Sequence, residues 1–376
     1  MKILILTCNT GQGHNASAKA IQGELVRRGA VCDIADTLAF LSKKGSRVVD
    51  KCFTGIYRKT PKIFDVGYAH AGEGQTGRQG ADCLWSVMLM GAGRLHRYVE
   101  EGGYTHIVCV HIFSAVMVTA MKEKYGVTLP TSFLSTDYTC YPFVELTDVD
   151  RYFLPHGALA EDFVARGIPR ERLIATGIPV RGDFLRIERD KAVAREALGL
   201  PKDAKVVFVM GGSMGCGPME KLVGAIAKGG GEDIRLLVSC GTNRKLLRSL
   251  QRGKDSRISA FRYTENVPQI MAASDLFVSK PGGISITEAG VMGLPMLLLN
   301  VVGGCETPNY GFFTARELAV GARDVGDAAS LCTRLLADGE GRRRMSERLS
   351  GEFRCDSAAL IADHVLQAKD VAVPHT

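Results

Sequence analysis

The sequence predicts an α/β protein built from two doubly wound parallel sheets. Short runs rich in Val, Ile and Leu alternate with longer helical patterns, as expected of strands that helices bury on both faces. The runs form two series, and each opens with a strand that ends in a glycine turn, "KILILT" before "GQG" and "KVVFVM" before "GGSMGCG". At 376 residues, with 43 glycines available for tight strand-to-helix turns, the chain suits two domains better than one.

The elements follow in order. "MKILILTCNT" has an apolar run too short for a signal sequence and flows into a glycine turn, so it reads as the first strand. "CNTGQGHNASAKAI" turns at its glycines and becomes a helix starting near Asn15 or Ala16, with His14 at its mouth. The glycine-rich stretch from about 70 to 95 reads as a loose segment over a binding site. "VCDIAD", "HIVCV", "TSFLSTD" and "RYFLP" complete the first series, and the polar residues 177 to 205 place a boundary near 185. The expected domains are therefore 1–185 and 186–376. "KVVFVMGG", "IRLLVSCG", "ISAFRYT", "LFVSK" and "PMLLLN" form the second series. The tail after 322 reads as amphipathic helices that can pack back on the first domain. In open sheets of this kind ligands bind beyond the carboxyl ends of the strands, so the chemistry is expected in those loops, at a cleft between the domains.

Composition narrows the function classes. Hydrophobic residues at 46% and charged residues at 23% describe a folded globular chain. The longest apolar stretch, residues 107 to 121, is shorter than a bilayer span and carries His111. The 11 cysteines form no C-x-x-C pair, which argues against a disulfide framework or structural zinc and for reduced thiols in a cytoplasm. A formal charge of +7 suits nucleic acid, acidic lipid or an anionic substrate, and charge alone does not choose among them.

Position does more. "VMGGSMGCG" at 209 to 217 ends a strand and precedes a helix, so backbone N–H groups there can approach an anion, or the glycines serve only a tight turn. In "SKPGGISITEAGVMGLPML", residues 279 to 297, Glu288 is placed to accept hydroxyl hydrogen bonds from a ribose or to complement a helix dipole. "NVVGGCETPNYGFF" brings Glu306 and Asn309 close together, groups suited to sugar hydroxyls, although Asn309 also reads as a helix cap. His14 is either a general base titrating near neutrality or a cap on the helix that follows. Two strand-end aspartates, Asp36 and Asp137, are candidates to support it, and His111 ends a third strand. Between residues 43 and 64, Lys43, Lys44, Arg47, Lys51, Arg58, Lys59 and Lys62 face one acid and alternate with apolar residues, a surface suited to anionic lipid or simply to water.

Taken together, "TENVPQIMAASDLFVSKPGGISITEAGVMGLPMLLLN" and "GGCETPNYGFF" resemble the nucleotide-sugar half of a group of inverting glycosyltransferases. The group includes plant monogalactosyldiacylglycerol synthases, bacterial diacylglycerol glucosyltransferases and the peptidoglycan GlcNAc transferase. "GQGHNASAKAI", "STDYTCYPFVELTDVDRYFLPH" and "GIPRERLIATGIPV" resemble the lipid-modifying branch in particular.

The resemblance implies a GT-B fold, an acceptor and membrane-facing first domain, and a second domain that binds a UDP-sugar. It implies Tyr263 against the uracil, Thr264 at its edge, and Gly212, Ser213, Gly283 and Ser285 around the diphosphate. Glu288 would hold the ribose and Glu306 the sugar, with Asn309 beside it. His14 becomes the base and Asp137 its support through a matching T-D motif; His111, read from its place at a strand end, lines the acceptor path or is an ordinary cleft wall. One departure bears on the sugar: relatives carry Gln where this chain has Cys305, and a thiol is a poor hydroxyl partner. The implied activity is inverting transfer of glucose or galactose from a UDP-sugar to diacylglycerol or a related lipid. It needs no tightly bound cofactor or metal, involves no nucleic acid, and takes place at the inner face of the cell membrane. The alternatives are a polyprenyl-linked acceptor, a UDP-sugar epimerase and a non-catalytic UDP-sugar sensor.

Overall fold

The computed structural model describes residues 1–8, 12–41, 74–300, 304–353 and 356–367. It divides into two compact units, Met1–Arg181 with Cys355–Thr376, and Gly182–Arg354. The division falls at 181/182, against the expected 185/186. Residues 355 onward group with the first unit, so the last helix packs back on the first domain although the expected boundary counted it with the second. The reason is apolar: Ile361, Ala362 and Val365 of the last helix join the buried cluster built on the first sheet.

In the first unit the strands are β1 (Lys2–Thr7), β2 (Val31–Asp36), β3 (His106–Cys109), β4 (Thr131–Leu134), β5 (Arg151–Leu154) and β6 (Leu173–Ala175). They form one parallel sheet in the order β2-β1-β3-β4-β5-β6. Ile3, Leu4, Ile5 and Leu6 are all fully buried, which explains why β1 is an unbroken apolar run rather than an alternating one. Helix α1 (Gln12–Arg27) places Ala18, Ile21 and Leu25 on one face of the sheet, beside the last helix (Ser357–Leu366). Each fully buried Ile or Leu there contributes about 1.5–3 kcal/mol.

The glycine-rich segment expected to be loose is, from residue 74, a helix of 29 residues, α2 (Gly74–Gly102). It packs against α3 (Ile112–Tyr125), and its glycines make that approach possible. A Cβ at Gly91 would lie 2.6 Å from Met117 Cε, and one at Gly93 would lie 2.6 Å from the Tyr125 hydroxyl.

The second unit repeats the plan with β7 (Lys205–Met210), β8 (Ile234–Ser239), β9 (Ile258–Phe261), β10 (Leu276–Ser279), β11 (Met296–Leu299) and β12 (Val320–Ala322). The parallel order is β12-β11-β10-β7-β8-β9. Helices Met219–Gly229 and Val325–Ala337 cover one face with Leu222, Val223, Ile226, Ala328 and Cys332. At the opposite end from the strand-end loops, Asp275 receives Arg195 at 2.7 Å, Lys191 at 2.9 Å and the Val206 N–H at 2.9 Å, tying the starts of β7 and β10 together.

Both sheets have a point where the strand order reverses, between β1 and β3 in the first unit and between β7 and β10 in the second. Parallel strands diverge there at their carboxyl ends, which leaves room for a ligand.

Candidate functional site

The reversal point of the first sheet holds two histidines. His14 is the third residue of α1, which starts at Gln12, so it stands inside the first turn rather than capping the helix. His111 follows β3 and does cap a helix: its Nδ1 accepts the Phe113 N–H of α3 at 3.1 Å. The two rings meet edge to face with centroids 4.6 Å apart.

His14 Nδ1 lies 2.9 Å from the Val110 carbonyl oxygen and 2.9 Å from Thr136 Oγ1. A carbonyl only accepts, so Nδ1 carries the proton and the lone pair of the neutral ring is on Nε2. Burial lowers the imidazole pKa below its ordinary value of 6.5, while the Asp137 charge and the Val110 carbonyl pull it back upward. His111 is held well below 6.5 by burial and by its neighbour His14. At neutral pH both rings are therefore uncharged.

The structure separates the two candidate aspartates. Asp36 caps the short turn Thr37–Phe40, accepting the Leu38 N–H at 3.1 Å. Asp137 accepts the Tyr141 hydroxyl at 2.6 Å, Tyr141 lies 3.1 Å from Thr136 Oγ1, and Thr136 reaches His14. Sequence reasoning found Asp137 but missed Thr136, Tyr141 and the Val110 carbonyl.

In the second unit, the loop after β7 runs through Gly212 and Ser213. Gly212 has φ 71°, a left-handed conformation, and a Cβ there would sit 2.7 Å from Lys280 Cε at the end of β10. The neighbouring strand-end loop closes on it: Ser213 O accepts the Thr242 N–H at 2.9 Å, and a Cβ at Gly241 would lie 2.1 Å from that same oxygen. Tyr263 and Thr264 follow β9. The Tyr263 N–H donates to Gly241 O at 3.2 Å while its ring stands 59% exposed, and Thr264 Oγ1 accepts the Asn266 N–H at 3.1 Å.

Helix α4 (Gly283–Val291) begins directly after β10 with buried Gly283 and contains Ser285 and Glu288. Glu288 is the sixth residue of α4, beyond its first turn, where a helix-dipole role has little strength. Helix α5 (Glu306–Ala315) contains Glu306 and Asn309, and Cys305 occupies its cap position without a side-chain cap bond. Asn309 is inside the helix rather than at its cap. It is fully buried and donates from Nδ2 to Pro281 O at 3.0 Å, which joins the two motifs.

The largest surprise is Lys280. Its ammonium pairs with Glu306 Oε1, the two side chains being 11% and 3% exposed. Burial opposes the lysine's charge, but the Glu306 carboxylate outweighs it and holds the pKa above the ordinary value. The only trace in the sequence is a basic residue at a strand end just before "PGG". The loops after β7 and β10, the start of α4 and the Lys280–Glu306 pair thus come together at the carboxyl ends of β7 and β10.

The expected basic cluster of Lys43, Lys44, Arg47, Lys51, Arg58, Lys59 and Lys62 lies outside the described residues. Among the described residues no helix is long and apolar enough to cross a membrane.

Two sheets of this topology, each with polar groups at the strand-order reversal, match the GT-B fold. The MurG of Acinetobacter baumannii superposes with a TM-score of 0.64 over 97% of this chain and 99% of its own, at 11% identity. A UDP-GlcNAc 2-epimerase from Neisseria meningitidis, bound to UDP-GlcNAc, superposes with a TM-score of 0.65 over 98% and 100%, at 14% identity. In sequence, residues 14–180 match the monogalactosyldiacylglycerol (MGDG) synthase family, and residues 206–301 match the glycosyltransferase family 28 C-terminal domain. A processive diacylglycerol beta-glucosyltransferase of Bacillus mycoides (strain KBAB4) is 26% identical over 390 residues, covering 100% of this chain and 95% of its own. The chain thus has the GT-B fold, its first part is similar to the MGDG synthase family and its second to the family 28 C-terminal domain, and these likenesses indicate a transferase.

Proposed function

We propose that the protein transfers a hexose, glucose before galactose, from a UDP-sugar to the hydroxyl of diacylglycerol or a related lipid, with inversion at the anomeric carbon. The observation that carries this reading is the fixed tautomer of His14, which offers an Nε2 lone pair from the first turn of α1 in a chain similar along its whole length to diacylglycerol glucosyltransferases.

The first unit supplies the acceptor side. As the lipid oxygen forms its bond to the anomeric carbon, His14 Nε2 takes the hydroxyl proton, and the bond to the diphosphate breaks with its electron pair leaving on UDP. His111, with Nδ1 engaged by a backbone N–H, carries its proton on Nε2 and lines the acceptor path as a hydrogen-bond donor. The second unit supplies the donor side. Gly212, Ser213, Gly283 and Ser285 bring backbone and hydroxyl groups to the diphosphate, and the N-terminus of α4 and Lys280 add positive charge. Tyr263 stacks on the uracil, Thr264 meets its edge, and Glu288 binds the ribose. Glu306 and Asn309 read the sugar, with Cys305 in place of the family's glutamine loosening that reading. The basic residues from Lys43 to Lys62 hold the enzyme peripherally on anionic lipid at the inner membrane face.

The test is transfer of label from radiolabelled UDP-glucose and UDP-galactose to diacylglycerol in anionic vesicles, for the parent chain and His14→Ala. A labelled glycolipid that the variant does not make, while UDP binding persists, supports the reading. UDP-sugar binding without transfer to any lipid overturns it in favour of a sensor, and conversion of UDP-GlcNAc without acceptor overturns it in favour of an epimerase.

A further inference from the structure

We infer that Thr136 and Tyr141 are positioning residues for the base, fixing the Nδ1–H tautomer of His14 and coupling its imidazole to the Asp137 carboxylate through a one-way chain of hydrogen bonds. The inference rests on the reading of His14 as the base and adds two side chains to which the sequence analysis gave no role.

The direction of the chain follows from counting protons. An ionised carboxylate only accepts, so the single Tyr141 hydroxyl proton goes to Asp137 Oδ2 at 2.6 Å. Toward Thr136, at 3.1 Å, the Tyr141 oxygen must then accept, which commits the single Thr136 proton to that contact. Toward His14 Nδ1, at 2.9 Å, Thr136 can only accept, and the Nδ1 proton is thereby required. The Val110 carbonyl, also 2.9 Å from the same nitrogen, makes the same demand. Two independent acceptors therefore agree on one tautomer.

Thr136, Asp137 and Tyr141 are 3%, 8% and 9% exposed, so water does not stand in for a missing link. In so dry a setting an aligned chain polarises along its length and carries the influence of its terminal charge. During transfer the acceptor's proton arrives on Nε2 and the Nδ1 proton stays in place. The imidazolium gains one positive charge, the Asp137 carboxylate supplies the balancing negative one, and no proton travels along the chain. The titratable groups facing His14 are Asp137 from the loop after β4 and His111 from the turn after β3; only the first favours the charged form.

The experiment measures kcat, donor KM and the pH profile of glucose transfer from UDP-glucose to diacylglycerol vesicles for the full chain. Tyr141→Phe, Asp137→Asn, their double variant, Thr136→Val, Thr136→Ser and His14→Ala are compared. Tyr141→Phe is expected to lower kcat about tenfold, within the ~10²–10⁴-fold that a positioned base contributes, with donor KM unchanged. Its acid limb moves to lower pH, because the buried Asp137 carboxylate loses a donor that stabilises its charge, and the chain no longer polarises the imidazole. Asp137→Asn moves the limb the same way, and the double variant is no slower than the slower single one, since one chain can be cut only once. Thr136→Ser is expected to regain most of what Thr136→Val loses, which keeps the test valid if Tyr141→Phe folds poorly.

Wild-type kcat and acid limb in Tyr141→Phe, multiplying losses in the double variant, or a serine no better than the valine would each overturn the chain while His14→Ala remains inactive. An active His14→Ala overturns the base reading itself and the chain with it.

Discussion

His14 and His111 stand edge to face, ring centroids 4.6 Å apart, and their Nδ1 atoms play opposite parts: one donates to the Val110 carbonyl and the other accepts the Phe113 N–H. Their outer nitrogens are consequently of opposite polarity, a lone pair on one ring and an N–H on the other. A base beside a neutral donor suits a hydroxyl that must be both oriented and deprotonated.

The activity is expected to require both rings neutral. Burial lowers both pKa values below 6.5, and the His14–His111 contact lowers that of His111 further. The midpoint of the acid limb then lies below 6.5, where Nε2 of His14 becomes protonated. A kcat/KM profile from pH 4.5 to 8 checks this. An acid limb centred at or above 6.5 would contradict the geometry.

Lys280 and Glu306 form a buried pair, so removing one partner strands a charge in a dry site. Lys280→Met is expected to lower stability by about 3–5 kcal/mol, the usual cost of leaving a buried charge uncompensated. Lys280→Met combined with Glu306→Gln is expected to recover most of it, because no charge is then left behind. Donor affinity should stay low in both, which urea unfolding and calorimetric titration with UDP-glucose would separate.

The same pair shows what the chain's letters could and could not reveal. Strands buried on both faces spell themselves out as Val/Ile/Leu runs, and glycine turns mark where they end, so both sheets were legible. Gly91 and Gly93 misled because a glycine that admits Met117 or the Tyr125 hydroxyl is written with the same letter as one that loosens a loop. The last helix showed an apolar face and was expected to be able to pack back on the first domain, but its own residues did not fix where the second unit ends. Thr136 meets His14 across 122 positions and Lys280 meets Glu306 across 26, and such pairings exist only once the sheets have brought strand ends together. Motifs therefore exposed one partner of each pair, while the other waited for the fold.

Glu288 and Glu306 are assigned to different parts of the donor, and binding should tell them apart. Glu288→Gln is expected to weaken UDP and UDP-glucose by the same factor, about tenfold or more, since both ligands carry the ribose; a hydrogen bond to a charged group is worth about 1.5–3 kcal/mol. Glu306→Gln also releases the Lys280 ammonium from its partner, so UDP itself responds to that charge, and loss of the sugar contact is read as UDP-glucose weakening relative to UDP. Calorimetry with the two ligands is sufficient, and equal effects of Glu306→Gln on both would remove the sugar from its assignment.

His106 predicts how the first unit responds to acid. It begins β3 with 1% exposure, and its Nε2 is 3.1 Å from Ser132 Oγ. Burial, assisted by Arg151 and opposed by Asp150, lowers its pKa to about 4. In the unfolded chain the imidazole titrates near 6.5, so between 6.5 and about 4 the unfolded state holds more protons than the folded one. The stabilisation is fully present above 6.5 and is lost as pH falls toward 4, with a slope of at most about 1.4 kcal/mol per pH unit. His106→Gln retains a polar partner for Ser132 and removes the titration. Its melting temperature should therefore drop less between pH 7 and pH 5 than that of the parent, by about 2–4 °C for each kcal/mol spared. Equal drops in the two proteins would mean that His106 is not the group whose protonation opens this sheet, and would shift the acid response to His14 and His111 at its other end.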